Sequence, residues 1–221
     1  MHLHYFRNTI AAIDREGGNR VPASKKLVIA DGWDPLEEPQ HPLPRPWWLL
    51  CTAGGDGPAA FFRALAWASG SGEDLLFFED DVELCGNAVA AAERIRVWDD
   101  LAFVALFDAD HAREQHGLRE LPFPGPSFRC SQALKIPPWT IEYLIAKGPP
   151  KSEEAKDGID TMLGRRLCRS PWPRYGIVVP NFAKHVGRVS AIRRDDSPEP
   201  LTKLRTPNHW PDGFDALTWT P

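Results

Sequence analysis

An α/β fold, with helices packed on a largely parallel sheet, is predicted by three features of the sequence. Short apolar runs alternate with segments of helical periodicity through the first half of the chain. The runs end in acidic residues or glycine-rich loops: Asp31, Gly54–Gly57, Glu79-Asp80-Asp81 and Asp108. Proline clusters then punctuate the rest into short elements.

The elements follow in order. Tyr5 to Arg15 has Phe6, Ile10 and Ile13 at helical spacing and stops at Gly17-Gly18. Lys26 to Ala30 reads as a strand, and Trp47 to Cys51 as a second. Residues 58–69 form a helix with Phe61, Phe62, Leu65 and Ala66 turned inward. Leu75 to Phe78 is a strand whose continuous apolar run implies burial on both faces, at the centre of the sheet. An alanine-rich helix over 87–97 and a strand over 102–107 come next. Phe128 to Ile136 is a further strand, interrupted by Ser131, Gln132 and Lys135. Pro138 opens a helix through Ile145, a second helix runs over 157–168, and Ile177 to Val179 is the last strand.

Length and composition bound the function. The 221 residues suit one large domain, read as 1–190. A proline-rich tail, 191–221, either wraps it or is partly disordered. A hydrophobic fraction of 43% against 25% charged residues is that of a globular protein. The net charge of -4 gives no global attraction to nucleic acid or anionic membranes, though a local basic patch stays possible. Cys51, Cys85, Cys130 and Cys168 form no CxxC pair, so neither a zinc site nor a disulfide framework is indicated. Free thiols and a cytoplasmic location are the expectation. No apolar segment reaches the roughly 20 residues of a membrane span, and the N-terminus lacks a signal-peptide core.

The chemistry concentrates after the third strand. Four apolar residues run directly into Glu79, Asp80 and Asp81. Three adjacent acids repel one another unless a cation sits among them or one is protonated. In extended backbone Glu79 and Asp81 share a face and Asp80 takes the other. Two convergent carboxylates suit a divalent ion. The plainer alternative is that the acids begin a solvated turn.

Three pieces of the chain together resemble a nucleotide-sugar glycosyltransferase of the GT-A fold. One is Leu75 to Val82, similar to the DxD-type motif in a Glu-Asp-Asp form. Another is the opening order of helix, strand to Asp31-Gly32, strand, Gly-rich loop and helix. The third is Val179-Pro180-Asn181-Phe182-Ala183-Lys184-His185-Val186-Gly187-Arg188-Val189-Ser190, similar to a late His-Gly segment in several such families, the family 25 type among them. The likeness spans most of residues 5–190 and extends to compact phage and bacterial members. One departure stands out, since only Met1 to His4 precede the first helix where such domains begin with a strand.

The resemblance implies a Rossmann-like α/β/α sandwich with a mostly parallel central sheet. It also implies a metal-dependent, inverting transfer from a nucleotide-diphosphate sugar, a UDP-sugar first among them, to an acceptor hydroxyl. Asp81 would bind Mn2+ or Mg2+ and bridge it to the diphosphate. Glu79 would bind ribose or metal, with Asp80 beside it on the donor side. His185 would complete the metal shell. Asp31 would lie near the base or ribose, and Arg63 would face the donor phosphates. Asp160 or Asp157, at the start of helix 157–168, would be the catalytic base. Each has an ordinary reading beside it: a turn pair for Asp31-Gly32, a solvated helix residue for Arg63, a structural histidine for His185, and helix capping for Asp157 and Asp160.

The acceptor stays open among a glycan, a protein, a small molecule and a hydroxymethylated base in phage-type DNA. Lys184, Arg188, Arg193, Arg194, Lys203 and Arg205 form a modest basic stretch that suits the last, or simply a solvated tail. Two other readings compete. One is a degenerate GT-A domain that binds a nucleotide or glycan without turnover. The other is a metal-dependent phosphoryl-transfer enzyme using paired acids.

Overall fold

The computed structural model describes residues 15, 27–31, 48–52, 57–79, 82–108, 116–124, 128, 131–154, 158–185 and 210–220. Of the predicted helix 5–15 only Arg15 falls among them, and it is helical. Asp80, Asp81, Asp157, the loop residues 53–56 and the basic stretch 186–209 lie outside the described residues.

Among the described residues the strands are β1 (Leu27–Asp31), β2 (Trp48–Thr52), β3 (Leu75–Phe78), β4 (Val82–Leu84), β5 (Leu101–Ala105), β6 (Gly117–Pro122), β7 (Ala133–Ile136), β8 (Arg174–Val179) and β9 (Ala183–His185). The helices are α1 (Gly57–Ala68), α2 (Ala88–Arg94), α3 (Pro138–Ala146) and α4 (Gly158–Leu167). None of them is long and apolar enough to cross a membrane. The chain is α/β, as expected, but the sheet corrects the expectation of a mostly parallel one. Five strands are ordered β3-β7-β5-β8-β6, and only β5 and β8 are parallel neighbours. Alternating strands and helices specify parallel neighbours only when each strand adds beside its predecessor. Here β7 inserts between β3 and β5, β6 takes the far edge, and both run against the others. A second difference concerns β3, expected at the centre: among the described residues it stands at the end of this sheet, and its four residues are half-buried.

Helices or helical segments cover both faces. On one face α1 buries Phe61, Ala64, Leu65 and Ala68, the i, i+3, i+4, i+7 stripe that a core-facing helix requires. Beside it α3 contributes Ile141 and Leu144, and α4 contributes Met162, Leu163 and Leu167. On the other face lies α2, whose five residues Ala88 to Ala92 are all buried. It is enclosed between the sheet and residues 210–220, so only small side chains fit there. Lys135 is buried beneath it and donates from Nζ to the carbonyl oxygens of Ala92 and Glu93, each at 3.0 Å. That satisfies the last turn of α2 and places a cation at the negative end of its dipole. Asp74 pairs with the same Nζ at 3.1 Å.

A β-bulge organises β5. Its register against β8 slips between Leu101 and Val104. Ala102 and Phe103 therefore face the same side, toward α3 and α4, while Leu101 and Val104 face α2. Gly176 in β8 answers the close packing on the α2 face. A Cβ there would stand 2.9 Å from Val104 Cγ2 and 3.1 Å from Leu118 Cδ1.

Candidate functional site

Strands β3, β5 and β8 run the same way, because β7 is antiparallel to both β3 and β5 and β8 is parallel to β5. Their carboxyl ends meet at one edge of the sheet, where open α/β sheets bind ligands. That edge carries Glu79 after β3, Asp108 beyond β5, and Pro180-Asn181 after β8. The start of β7 supplies Ser131 and Gln132 there.

Glu79 is half-buried and well held. Its N–H donates to the carbonyl oxygen of Gln132 at 2.9 Å, which extends the β3–β7 ladder by one residue. Its Oε1 accepts from the hydroxyl of buried Ser131 at 2.7 Å. This hydrogen bond fixes the orientation of the carboxylate.

Beyond β8 the chain turns through a cis Val179–Pro180 bond into Asn181. Asn181 is buried and bonds both backbone groups of buried Asp108. The N–H groups of Phe182 and Ala183 both donate to the carbonyl oxygen of Leu106, at 2.9 and 3.2 Å. The turn is thereby locked to the end of β5 before β9 begins. Strand β9 pairs with β4 so that His185 stands opposite Val82, Lys184 opposite Glu83 and Ala183 opposite Leu84. The residue directly across from His185 is therefore the one that follows Asp81 in the chain.

The structure thus brings Glu79 and the backbone of His185 to the segment that holds the acid motif. Asp80 and Asp81 themselves lie outside the described residues. Among the described residues no group of three or more His, Cys, Asp or Glu is gathered as a metal cluster. Asp31 ends β1 opposite Thr52, in a separate two-stranded parallel sheet. Arg63 lies on the exposed face of α1.

Asp160 is half-buried in the first turn of α4, and its Oδ1 accepts from the N–H of Thr161 at 2.7 Å. The base of α4 sits beside that of α1. A Cβ on Gly57 would contact Ile159 at 3.8 Å. Farther along α4, buried Arg166 anchors the preceding loop. Its Nε and Nη2 donate to the two carboxylate oxygens of Glu154 at 3.0 and 2.8 Å. Nη1 and Nη2 also reach the carbonyl oxygens of Gly148 and Pro149 at 2.7 and 3.1 Å. The hydrogen bonds from Arg166 hold the Glu154 carboxyl down to about 2, against burial, which acts the other way; the N–H of Lys151 assists. Glu142, bonded by the Gly70 N–H and the Ser69 hydroxyl, is lowered too.

Ser131, Asn181 and Arg166 were not singled out from sequence. Ser131 carried a signal, as a polar residue two positions before β7 begins. Asn181 carried one too, because an amide directly after a strand and a proline must find partners once buried.

No protein-family model matches the chain, and no curated protein matches it.

Proposed function

We propose that this chain is a metal-dependent glycosyltransferase of the GT-A type. It would move a sugar from a nucleotide-diphosphate donor, a UDP-sugar first, to an acceptor hydroxyl with inversion. The observation that carries this reading is the β4–β9 register, which sets His185 across from the residue after Asp81, at the sheet edge where Glu79 is oriented by Ser131.

Carboxylates with a single imidazole are a donor set suited to Mn2+ or Mg2+. Asp81, Glu79 and His185 would hold the ion. When bound, the ion would offset the negative charge that develops on the departing diphosphate. The protein's own residues do the rest. Ser131 keeps Glu79 aimed. Asp160, held to the first turn of α4 by the Thr161 N–H, would accept the acceptor's proton, with Asp157 the alternative just before the helix. Arg63 on α1 would face the donor phosphates, and Asp31 and Asp80 would serve its nucleoside. A glycan, a protein or hydroxymethylated DNA is the acceptor class, and the cytoplasm the location this reading supposes.

The test is incubation with a panel of sugar nucleotides, Mn2+ and each acceptor class, with release of the nucleoside diphosphate as the readout. The wild-type chain should release it, and Asp160→Asn should cut transfer by roughly 10²–10⁴. Release of inorganic phosphate without sugar transfer would replace this reading with phosphoryl transfer.

A further inference from the structure

Residues 210–220 contact the segments that flank the β4–β9 pair. Trp219 donates from Nε1 to the carbonyl oxygen of Val179 at 3.0 Å, at the residue that precedes Pro180. Its ring packs edge-on to that of Phe182, with centroids 5.3 Å apart. Phe214 lies against the same Phe182 at 6.5 Å. The segment is itself fastened at its other end. Asp215 bridges to Gly86, accepts from Asn87 Nδ2 at 3.1 Å, and caps the N–H of Leu217 at 2.9 Å. The Ala216 N–H donates to the Gly86 carbonyl at 2.8 Å.

Both ends of this strap bear on the pair of strands at the site. Gly86 and Asn87 follow β4, and Val179 to Phe182 precede β9. Moreover, the N–H of Cys85 donates to the carbonyl oxygen of Phe182 at 3.0 Å, closing the β4–β9 pair at its far end. We infer that Trp219 is a positioning residue for the metal centre: its hydrogen bond to Val179 and its ring against Phe182 set the backbone of β9, and through it the register of His185 opposite Val82. The inference rests on the metal-dependent reading above. It makes the C-terminal segment a working part of the site.

The test uses the full chain and Mn2+ as the probe, with the electron paramagnetic resonance signal of free Mn2+ reporting binding. Trp219→Phe keeps a ring against Phe182 and removes the N–H. Loss of one hydrogen bond corresponds to about a 2- to 10-fold weaker Mn2+ affinity. Amide exchange should quicken at Phe182 and Ala183 while the amides of β5 keep their protection. Should Trp219→Phe fail to fold, Asp215→Ala removes the acceptor of the Asn87 and Leu217 bonds, loosens the strap at its other end and takes the same measurements. If the wild-type chain binds Mn2+ and the variant binds it equally well, Trp219 is not a positioning residue, whatever its stability. If the wild-type chain binds no Mn2+, with or without UDP, the metal reading falls and this inference with it.

Discussion

Asn181 grips the backbone of Asp108 from both sides. Its Nδ2 donates to the Asp108 carbonyl at 3.1 Å, and its Oδ1 accepts from the Asp108 N–H at 3.2 Å. Both residues are buried, 73 positions apart in the chain. The side-chain amide ties the two chain segments together three and four residues beyond the last β5–β8 pair, Ala105 and Ile177.

Truncation of Asn181 should therefore be costly. Asn181→Ala leaves a buried N–H and a buried carbonyl without that partner, at about 2–4 kcal/mol for the two. Urea denaturation should show the loss as a lower midpoint with an unchanged slope. A midpoint within error of wild type would mean that water replaces the amide without cost.

The Glu154–Arg166 pair predicts a pH dependence whose sign is fixed. The folded carboxyl lies at about 2, below its ordinary value of 4.5. The pair's contribution is thus fully present above about pH 4.5 and is lost as pH falls toward 2. The amount is roughly 1–3 kcal/mol. Denaturation measured across that window should fall more steeply for wild type than for Glu154→Gln. Parallel curves would remove the pair from the account of acid stability.

Gly176 is predicted to resist enlargement. Gly176→Ala places a methyl against Val104 and Leu118 and should destabilise by about 1–3 kcal/mol. Thermal unfolding would show it. A stabilised variant would mean that β5 and β6 yield at no cost.

Much of the fold was legible because periodicity and punctuation agree. Helices α1, α3 and α4 start and stop within a residue or two of their expected ends, at Pro58 and Gly70, Pro138 and Gly148, and Gly158. Strand β6 was not legible. Arg119 and Glu120 stand in its middle, half-buried, and Leu118 and Leu121 face opposite sides of the sheet, so no period-2 apolar pattern forms. The sheet order was not legible either, since the position of β7 between β3 and β5 depends on long-range pairing that no local pattern encodes. At the site, Glu79 was found because three charges after an apolar run are conspicuous. Asn181 and Trp219 act through backbone atoms of distant residues, which leaves only the faintest mark in a sequence.

The most direct test of the central claim is a Mn2+ titration of the wild-type chain, Glu79→Gln and Asp81→Asn, each with and without UDP. The account predicts that the wild-type chain binds Mn2+ and binds it more tightly with UDP. Asp81→Asn should lose binding while its thermal midpoint in metal-free buffer stays level or rises, because one of several crowded like charges has been removed. Equal Mn2+ binding by wild type and both variants, or full donor turnover after exhaustive chelation, would contradict it.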